Sequence, residues 1–399
     1  MRSHVLFGWC VAACSVEHSS SAAQSCAGAT VLRDSILNLT EVGWSGPEQR
    51  GVFIGAPSLV GLPGGGVLAS SNRFGHGINF SDPGTGATIH HSANAGASWQ
   101  DVANVSDACD NTLFIVKQTI YLLGPACHLD AVQLSRSVDG VHWPAADRRI
   151  VLNATPGMSY TNAPTTIVEA NGRLYRAVEV VRKADNTAWG ASLILFTTVP
   201  QDDDGLGLLD QQWTASKPLA FAASWPQAAW PPVRWGGEWG ARGWLEGGVV
   251  VGPVADATNH NQLTPIYVIL RLDLLSTSVA PSHAVLVRYI PDENVLAFDR
   301  VLDFPGGHSK FSIRLDRATG LYISLVNNVT AAPEQWLISE TARLARTPLS
   351  LSVSADLRTW TTVAPILWDD TGFAEADSWK YAIARIVMVD GLSFTSITV

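Results

Sequence analysis

Residues 91–102 read HSANAGASWQDV, which sets Ser92, Asn94, Gly96, Ser98 and Trp99 at a regular spacing. The order returns in shorter form in Ser137-Val138-Asp139-Gly140-Val141-His142-Trp143. It returns again in Ser354-Ala355-Asp356-Leu357-Arg358-Thr359-Trp360, without the glycine. Asn and Asp side chains hydrogen-bond the backbone just ahead of them and stabilise tight turns. Glycine supplies the positive φ that other residues resist. The Trp opens the next strand and tucks under the turn. Each copy therefore predicts a hairpin turn with an aromatic lock, and copies spread along a chain predict stacked β-units.

Between these copies, short β-branched and aromatic runs alternate with Gly, Asn, Asp and Pro turns. Examples are VFIGAPSLVGLPGGGVLASS, TLFIVKQTIYLLG, TTIVEANGRLYRAVEVV and FSIRLDRATGLYISLV. "LPGGG", "EANGR", "PDENV" and "DRATG" are the turns of strand–turn–strand units. Helical periodicity is confined to one short stretch over Glu334–Arg346. Hairpins without helices imply a sandwich, a barrel or a propeller. The size and the regular pairs favour an all-β, six-bladed β-propeller. Inner strands are expected to start near Phe53, Asn111, Asn162, Glu246, Lys310 and Phe373.

The chain has 399 residues, 47% apolar and 15% charged, a globular composition. The net charge of −9 argues against nucleic acid and anionic membranes as partners. Residues 1–25 have the shape of a secretory signal: one Arg, an apolar run from Val5 to Val16, then small polar residues. Residues 26–399 then form a single domain with no linker, the last blade of which is open to being incomplete. No later segment reads as a membrane span. A secreted, extracellular, monomeric glycoprotein is expected, with sequons at Asn38, Asn79, Asn104, Asn153 and Asn328. Cys109 and Cys127 flank a hairpin whose turn, Lys117-Gln118, lies midway between them, so the two face each other as a disulfide. Cys26 is left over. No cofactor motif is present, and no metal site is expected: Asp202-Asp203-Asp204-Gly205 reads as a solvated turn.

The ordered set of stretches resembles the sialidase superfamily of six-bladed propellers, and more closely a less characterised sialidase-like group. APSLVGLPGGGVLASSNRFG, GRLYRAVE, WLEGGVVVGP, FPGGHSKFSIRLDRATGLYISLVNN and LSLSVSADLRTW carry the resemblance. The turns look like that superfamily's Asp-boxes, which implies that Ser92, Asn94, Asp139 and Asp356 are structural. The resemblance implies an exo-α-sialidase type of activity on glycans: three Arg on the substrate carboxylate, a Tyr nucleophile activated by a Glu, and an acid/base Asp. The first Arg belongs to an F-R-I-P motif, and its place here falls on Gly55. Tyr381 is where the similarity stops.

Glu246, beside Trp244 and ahead of an apolar strand, matches the family's mid-chain Glu. Its setting predicts a raised pKa, with Arg242 or Arg234 as the ordinary ion-pair alternative. His308 and Lys310, on a Gly-rich approach to a strand, suit a clamp for an anion or hydroxyls. Arg176 and Glu179, three apart on one strand, fall on alternate or opposite faces and reach one mouth only through a bulge, with an ordinary ion pair as the alternative. Tyr160 and Asn162 precede an inner strand. Arg73, with Asn72 and Asp82, occupies the region of the family's acid/base Asp. Trp244 belongs to a Trp-rich loop, Ser224–Gly248, suited to stacking on sugar rings. The reading favours a glycosidase with Glu246 catalytic. A carbohydrate-binding propeller without catalysis is the alternative.

Overall fold

A computed structural model describes residues 52–367 apart from short internal stretches, the longest being 222–240 and 329–348. Five sheets follow one another along the chain. The first holds β1 (Val52–Gly61), β2 (Val67–Gly75), β3 (Gly86–Ser92) and β4 (Gln100–Ser106). The second holds β5 (Thr112–Val116), β6 (Thr119–Pro125), β7 (Ala131–Ser137) and β8 (Arg148–Asn153). In the third, β9 (Met158–Thr161) and β10 (Val168–Ala170) share one edge of β11 (Arg173–Arg182). There β12 (Ala191–Thr198) is edged by β13 (Thr214–Ala215) and β14 (Leu219–Ala220). The third sheet is therefore four-stranded in plan, with its first and last strands each broken in two. The fourth holds β15 (Ala241–Val251), β16 (Ile266–Leu274), β17 (His283–Ile290) and β18 (Val295–Asp303). The fifth holds β19 (Ser312–Asp316), β20 (Leu321–Asn327), β21 (Leu349–Ser354) and β22 (Thr361–Leu367).

All strand pairings within the sheets are antiparallel, and apart from the two broken edge strands of the third sheet neighbours follow in chain order, so each sheet is a meander. This is a β-propeller with five blades among the described residues. Five of the six expected inner-strand starts fall at or beside the first strand of a sheet. The sixth, near Phe373, lies outside the described residues, as do the signal segment, the Glu334–Arg346 stretch, the acidic loop at Asp202 and the tail beyond Tyr381. Among the described residues no helix is long and apolar enough to cross a membrane.

The cores lie between sheets. Leu68 and Ile89 of the first meet Leu113 and Leu122 of the second. Tyr121 and Leu123 of the second meet Leu174, Val178 and Val180 of the third. Tyr175, Ala177 and Ile194 of the third meet Val249, Val268 and Leu270 of the fourth. Val250, Tyr267 and Ile269 of the fourth meet Ile313 and Tyr322 of the fifth. Successive residues of one strand thus serve two different cores. That is why these strands read as near-continuous apolar runs instead of an apolar–polar alternation.

The recurrent turns all join the third strand of a sheet to the fourth. Asp139 Oδ1 accepts from the Val141 and His142 N–H groups at 2.9 and 2.8 Å, and Asp356 Oδ1 from Arg358 and Thr359 at 2.8 and 2.7 Å. In the first copy Asn94 Oδ1 accepts from Ser98 N at 2.9 Å. Trp143 and Trp360 close their turns by donating to the carbonyls of Gly140 and Leu357 at 3.0 and 3.1 Å. The first copy lacks that lock: the Trp99 indole N–H is buried without a partner. Cys109 and Cys127 are joined, next to the β5–β6 hairpin.

Candidate functional site

The first and second strands of the sheets, and the residues just ahead of them, carry the polar side chains that matter. Alternation along β11 sorts its two ionisable groups. Leu174, Val178 and Val180 face the second sheet, and so does Arg176. Tyr175 and Ala177 face the fourth sheet, and so does Glu179. Arg176 is wholly buried and donates to the carbonyls of Leu123, Asp110 and Ala163. Glu179, equally buried, accepts from the Gly247 N–H at 2.9 Å, while its Oε2 has no partner. Burial pushes the Glu179 carboxyl up to about 8, and the neighbouring Glu246 charge adds to this against the Gly247 hydrogen bond. Arg176 and Glu179 feel each other's charge, but the contacts of each go to different sheets.

Glu246 sits at a break in the β15–β16 ladder. Pairing passes from Leu245 opposite Arg271 to Gly248 opposite Ile269, so two residues of β15 oppose Leu270 alone. This is a β-bulge, and bulges re-aim side chains. Glu246 takes φ +55° there. Its Oε2 meets Arg271 Nη1 at 2.6 Å and its Oε1 meets Lys310 Nζ at 3.2 Å. Burial would raise this carboxyl, but Lys310 and Arg271 outweigh burial and hold it below the usual glutamate range. The expected raised pKa is thus corrected, because Arg271 and Lys310 stand within contact; Arg234 and the Arg242 side chain lie outside the described residues.

Asp110, directly ahead of β5, completes the group. Its N–H donates to Asn72 Oδ1 at 3.0 Å, and its carbonyl accepts from Arg176 at 3.1 Å. The residue is partly exposed, yet its Oδ1 is buried and unpartnered. Desolvation lifts the carboxyl to about 6; Lys310 opposes the shift and Glu246 reinforces it. Asp110, Glu246 and Lys310 are therefore close enough to set one another's charge. Lys310 is the cation shared by the group: it touches Glu246 and its charge acts on Asp110.

Asp110 and Arg271 are the residues that sequence reasoning missed. Asp110 adjoins Asn111, the expected start of an inner strand, as Glu246 and Lys310 mark the starts of theirs. Arg271 is the lone cation in the apolar run IYVILRLDLL. Asn72, grouped above only by its neighbourhood to Arg73, turns out to hold the corner: its Nδ2 donates to the carbonyls of Gly86 and Ala108 at 2.9 Å each.

Other candidates lie elsewhere. Trp244 is in the core, edge-on to Phe221 at 5.2 Å, and offers no face to a sugar. Tyr160 packs in the core between the second and third sheets, because β9 turns it toward Phe114 and Tyr121. Asn162 is buried and spends its side chain on Ala177 O and Ala163 N. Arg73 and Asp82 are exposed. His308 and the other loop Trp residues lie outside the described residues, as does the Asn38 sequon. Asn79, Asn104 and Asn153 are exposed, but Asn328 is 6% exposed and donates to Thr362 Oγ1 at 3.2 Å, so the folded chain hides that sequon. Gly55 lies buried in β1, opposite Asn72, with no side chain to offer.

No family model and no curated protein matches the sequence. Solved structures do match. The Hadza microbial sialidase Hz136 is similar with TM-score 0.50 and 11% identity, over 79% of this chain and 59% of that one. The fold is a sialidase-like β-propeller. A protein of unknown function from Dyadobacter fermentans DSM 18053 is similar with TM-score 0.48 and 15% identity, over 79% and 83% of the two chains. An α-L-arabinanase of Penicillium chrysogenum follows with TM-score 0.44 and 14% identity, over 77% and 79%. At such identities the likeness concerns the fold.

This sialidase-like propeller also carries a Ser–His–Asp chain across its first sheet. Ser71 Oγ meets His90 Nε2 at 2.8 Å, and His90 Nδ1 meets Asp101 at 2.6 Å. In a hydrolytic triad the serine faces substrate and the aspartate is buried. Here Ser71 is buried and the Asp101 side chain is 64% exposed, the reverse order. The chain cross-links β2, β3 and β4.

Proposed function

We propose that this protein is a secreted glycosidase acting on extracellular glycans, with Asp110 as general acid and Glu246 as the ionised carboxylate. One observation carries the reading: in one cluster Glu246 is held between Arg271 and Lys310, while Asp110 has a buried oxygen without a partner, so the two carboxyls are pushed to opposite sides of their ordinary range. Glycoside hydrolysis needs such a pair, one group to protonate the departing oxygen and one charged. The Asp110 carboxyl gives its proton to the glycosidic oxygen as the C–O bond breaks. Glu246 stays ionised beside the positive charge that develops on the sugar ring, and a water molecule bonds to the anomeric carbon and returns a proton to the Asp110 carboxylate. Lys310, whose charge acts on both carboxyls of the cluster, suits a substrate that bears a carboxylate, such as a sialoside. Lys310 then supplies as a point charge part of what an Arg at position 55 would give. The disulfide and the exposed sequons at Asn79, Asn104 and Asn153 support secretion.

A second reading, a carbohydrate-binding propeller without catalysis, is favoured by Gly55, which leaves the first of the family's three Arg positions without a side chain. A panel of fluorogenic 4-methylumbelliferyl glycosides, sialosides included, separates the two. Turnover by the wild type that both Glu246→Gln and Asp110→Asn abolish is the expected result. No turnover on any sugar, with glycan binding retained, overturns the enzyme in favour of the binding module.

A further inference from the structure

We infer that Glu179 is a positioning residue for Glu246, acting from the third sheet on the bulge of the fourth. The inference rests on the reading of Glu246 as the ionised carboxylate of the site. Alternation along β11 aims Glu179 at the fourth sheet, and its carboxyl receives the Gly247 N–H at 2.9 Å. That N–H belongs to the bulge, where β15 carries more residues than its partner and the ladder is locally interrupted. A buried N–H without an acceptor is costly, and the acceptor here comes from another blade. Glu246 beside it is held at φ +55°, a conformation that residues with a Cβ resist.

The bulge has little slack. A Cβ on Gly247 would stand 2.6 Å from Val268 Cγ1, 2.8 Å from Leu270 Cδ2 and 3.2 Å from Ala177 Cβ. A tightly packed backbone whose N–H groups at Gly247 and Glu246 are both held by the Glu179 carboxyl has one orientation. That orientation delivers the Glu246 carboxylate to Arg271 and Lys310 together. β1 has a similar break between Gly55 and Ser58, with Ala56 at φ +51°. The bulge is thus a recurring backbone device, and on β15 it is loaded with a carboxylate and braced by a second one. The bracing carboxyl is wholly buried with one oxygen unpartnered, and its hydrogen bonds go to the backbone of the bulge itself, at Gly247 and Glu246; that is costly unless its placement matters.

The test compares Glu179→Gln, which keeps an acceptor of the same reach, with Glu179→Leu, which removes it. Glu179→Asp, which withdraws the carboxyl by one methylene, serves as a second disruptive variant should Leu not fold. Each protein is labelled with [5-13C]glutamate, and the Glu246 resonance is assigned by its loss in Glu246→Gln. In the wild type and in Glu179→Gln, Glu246 should titrate below the ordinary glutamate range. In Glu179→Leu and Glu179→Asp it should move up towards that range. On the fluorogenic glycoside that the wild type cleaves, the disruptive variants should lose about 100-fold in kcat with little change in KM, and Gln should retain most of it. A folded Leu or Asp variant with unchanged Glu246 titration overturns the inference, as does a Gln variant as impaired as Leu. If the wild type cleaves nothing, the glycosidase reading falls while the titration still decides the positioning role.

Discussion

Burial alone would drive Asp110, Glu179 and Glu246 toward their neutral forms, because an isolated charge is expensive away from water. What separates them is the company each keeps. Glu246 touches two cations and stays charged. Asp110 feels Lys310 from farther away and rises to about 6, and Glu179 rises to about 8. Activity that needs Glu246 ionised and Asp110 protonated requires a pH above the first group's range and below that of the second. The profile of kcat/KM should therefore peak on the acidic side and fall as pH rises through about 6. Asp110→Asn should lower kcat by about 10²–10⁴-fold and remove that falling limb. A pH–rate profile of both proteins checks it, and a limb that survives in Asp110→Asn excludes Asp110 as the acid. The residue types of this site were partly legible. Glu246 and Lys310 stood out beside a Gly-rich or apolar strand, whereas Asp110 was hidden between Cys109 and Asn111. Its role depends on Lys310, 200 positions away, and chain spacing carries no trace of such a neighbour.

The turn between β21 and β22 shows two local forces in opposition. Leu357 occupies the place that Gly140 holds in the second copy, at φ +63°, where a Cβ costs about 1–2 kcal/mol. It is also fully buried among Phe304, Leu302 and their neighbours. Removing a buried leucine side chain costs about 2–5 kcal/mol. The packing term is the larger, so Leu357→Gly should destabilise the protein by about 2 kcal/mol although it restores the usual turn residue. Denaturant midpoints decide it; a more stable variant would mean that backbone strain outweighs the core. The turn residues themselves were readable because an Asp or Asn side chain acts on the N–H groups two to four residues ahead, well within a local window. That Leu357 serves a core between the fourth and fifth sheets was not readable, since the window contains no partner for it.

At the scale of the molecule, stability resides between the blades. Besides the apolar cores, side chains of one sheet satisfy the backbone of another: Ser58 Oγ accepts from Leu113 N at 2.9 Å, and Thr112 donates to Thr165 O at 2.8 Å. Thr166 donates to Ile313 O at 2.9 Å, linking the segment ahead of β10 to the fifth sheet. The disulfide closes a loop of 18 residues beside the β5–β6 hairpin. A cross-link of that span is worth about 3 kcal/mol. The double variant Cys109→Ser, Cys127→Ser should lose about that much stability, read as a lower melting midpoint matched by the reduced wild type. A variant as stable as the oxidised protein would place the bond outside the folding core.

The sequence by itself determined the strands, the turns, the meander order, the cysteine pair and the opposite facing of Arg176 and Glu179. Those features follow from alternation and turn chemistry, which act over a few residues. Only the tertiary structure decided that Trp244 and Tyr160 are core and that Glu246 meets Arg271 and Lys310. It also decided that Asn328 is hidden and that Asp110 belongs to the site. A side chain's exposure and charge are set by whichever blade packs against it, and that neighbour lies a whole sheet or more away along the chain.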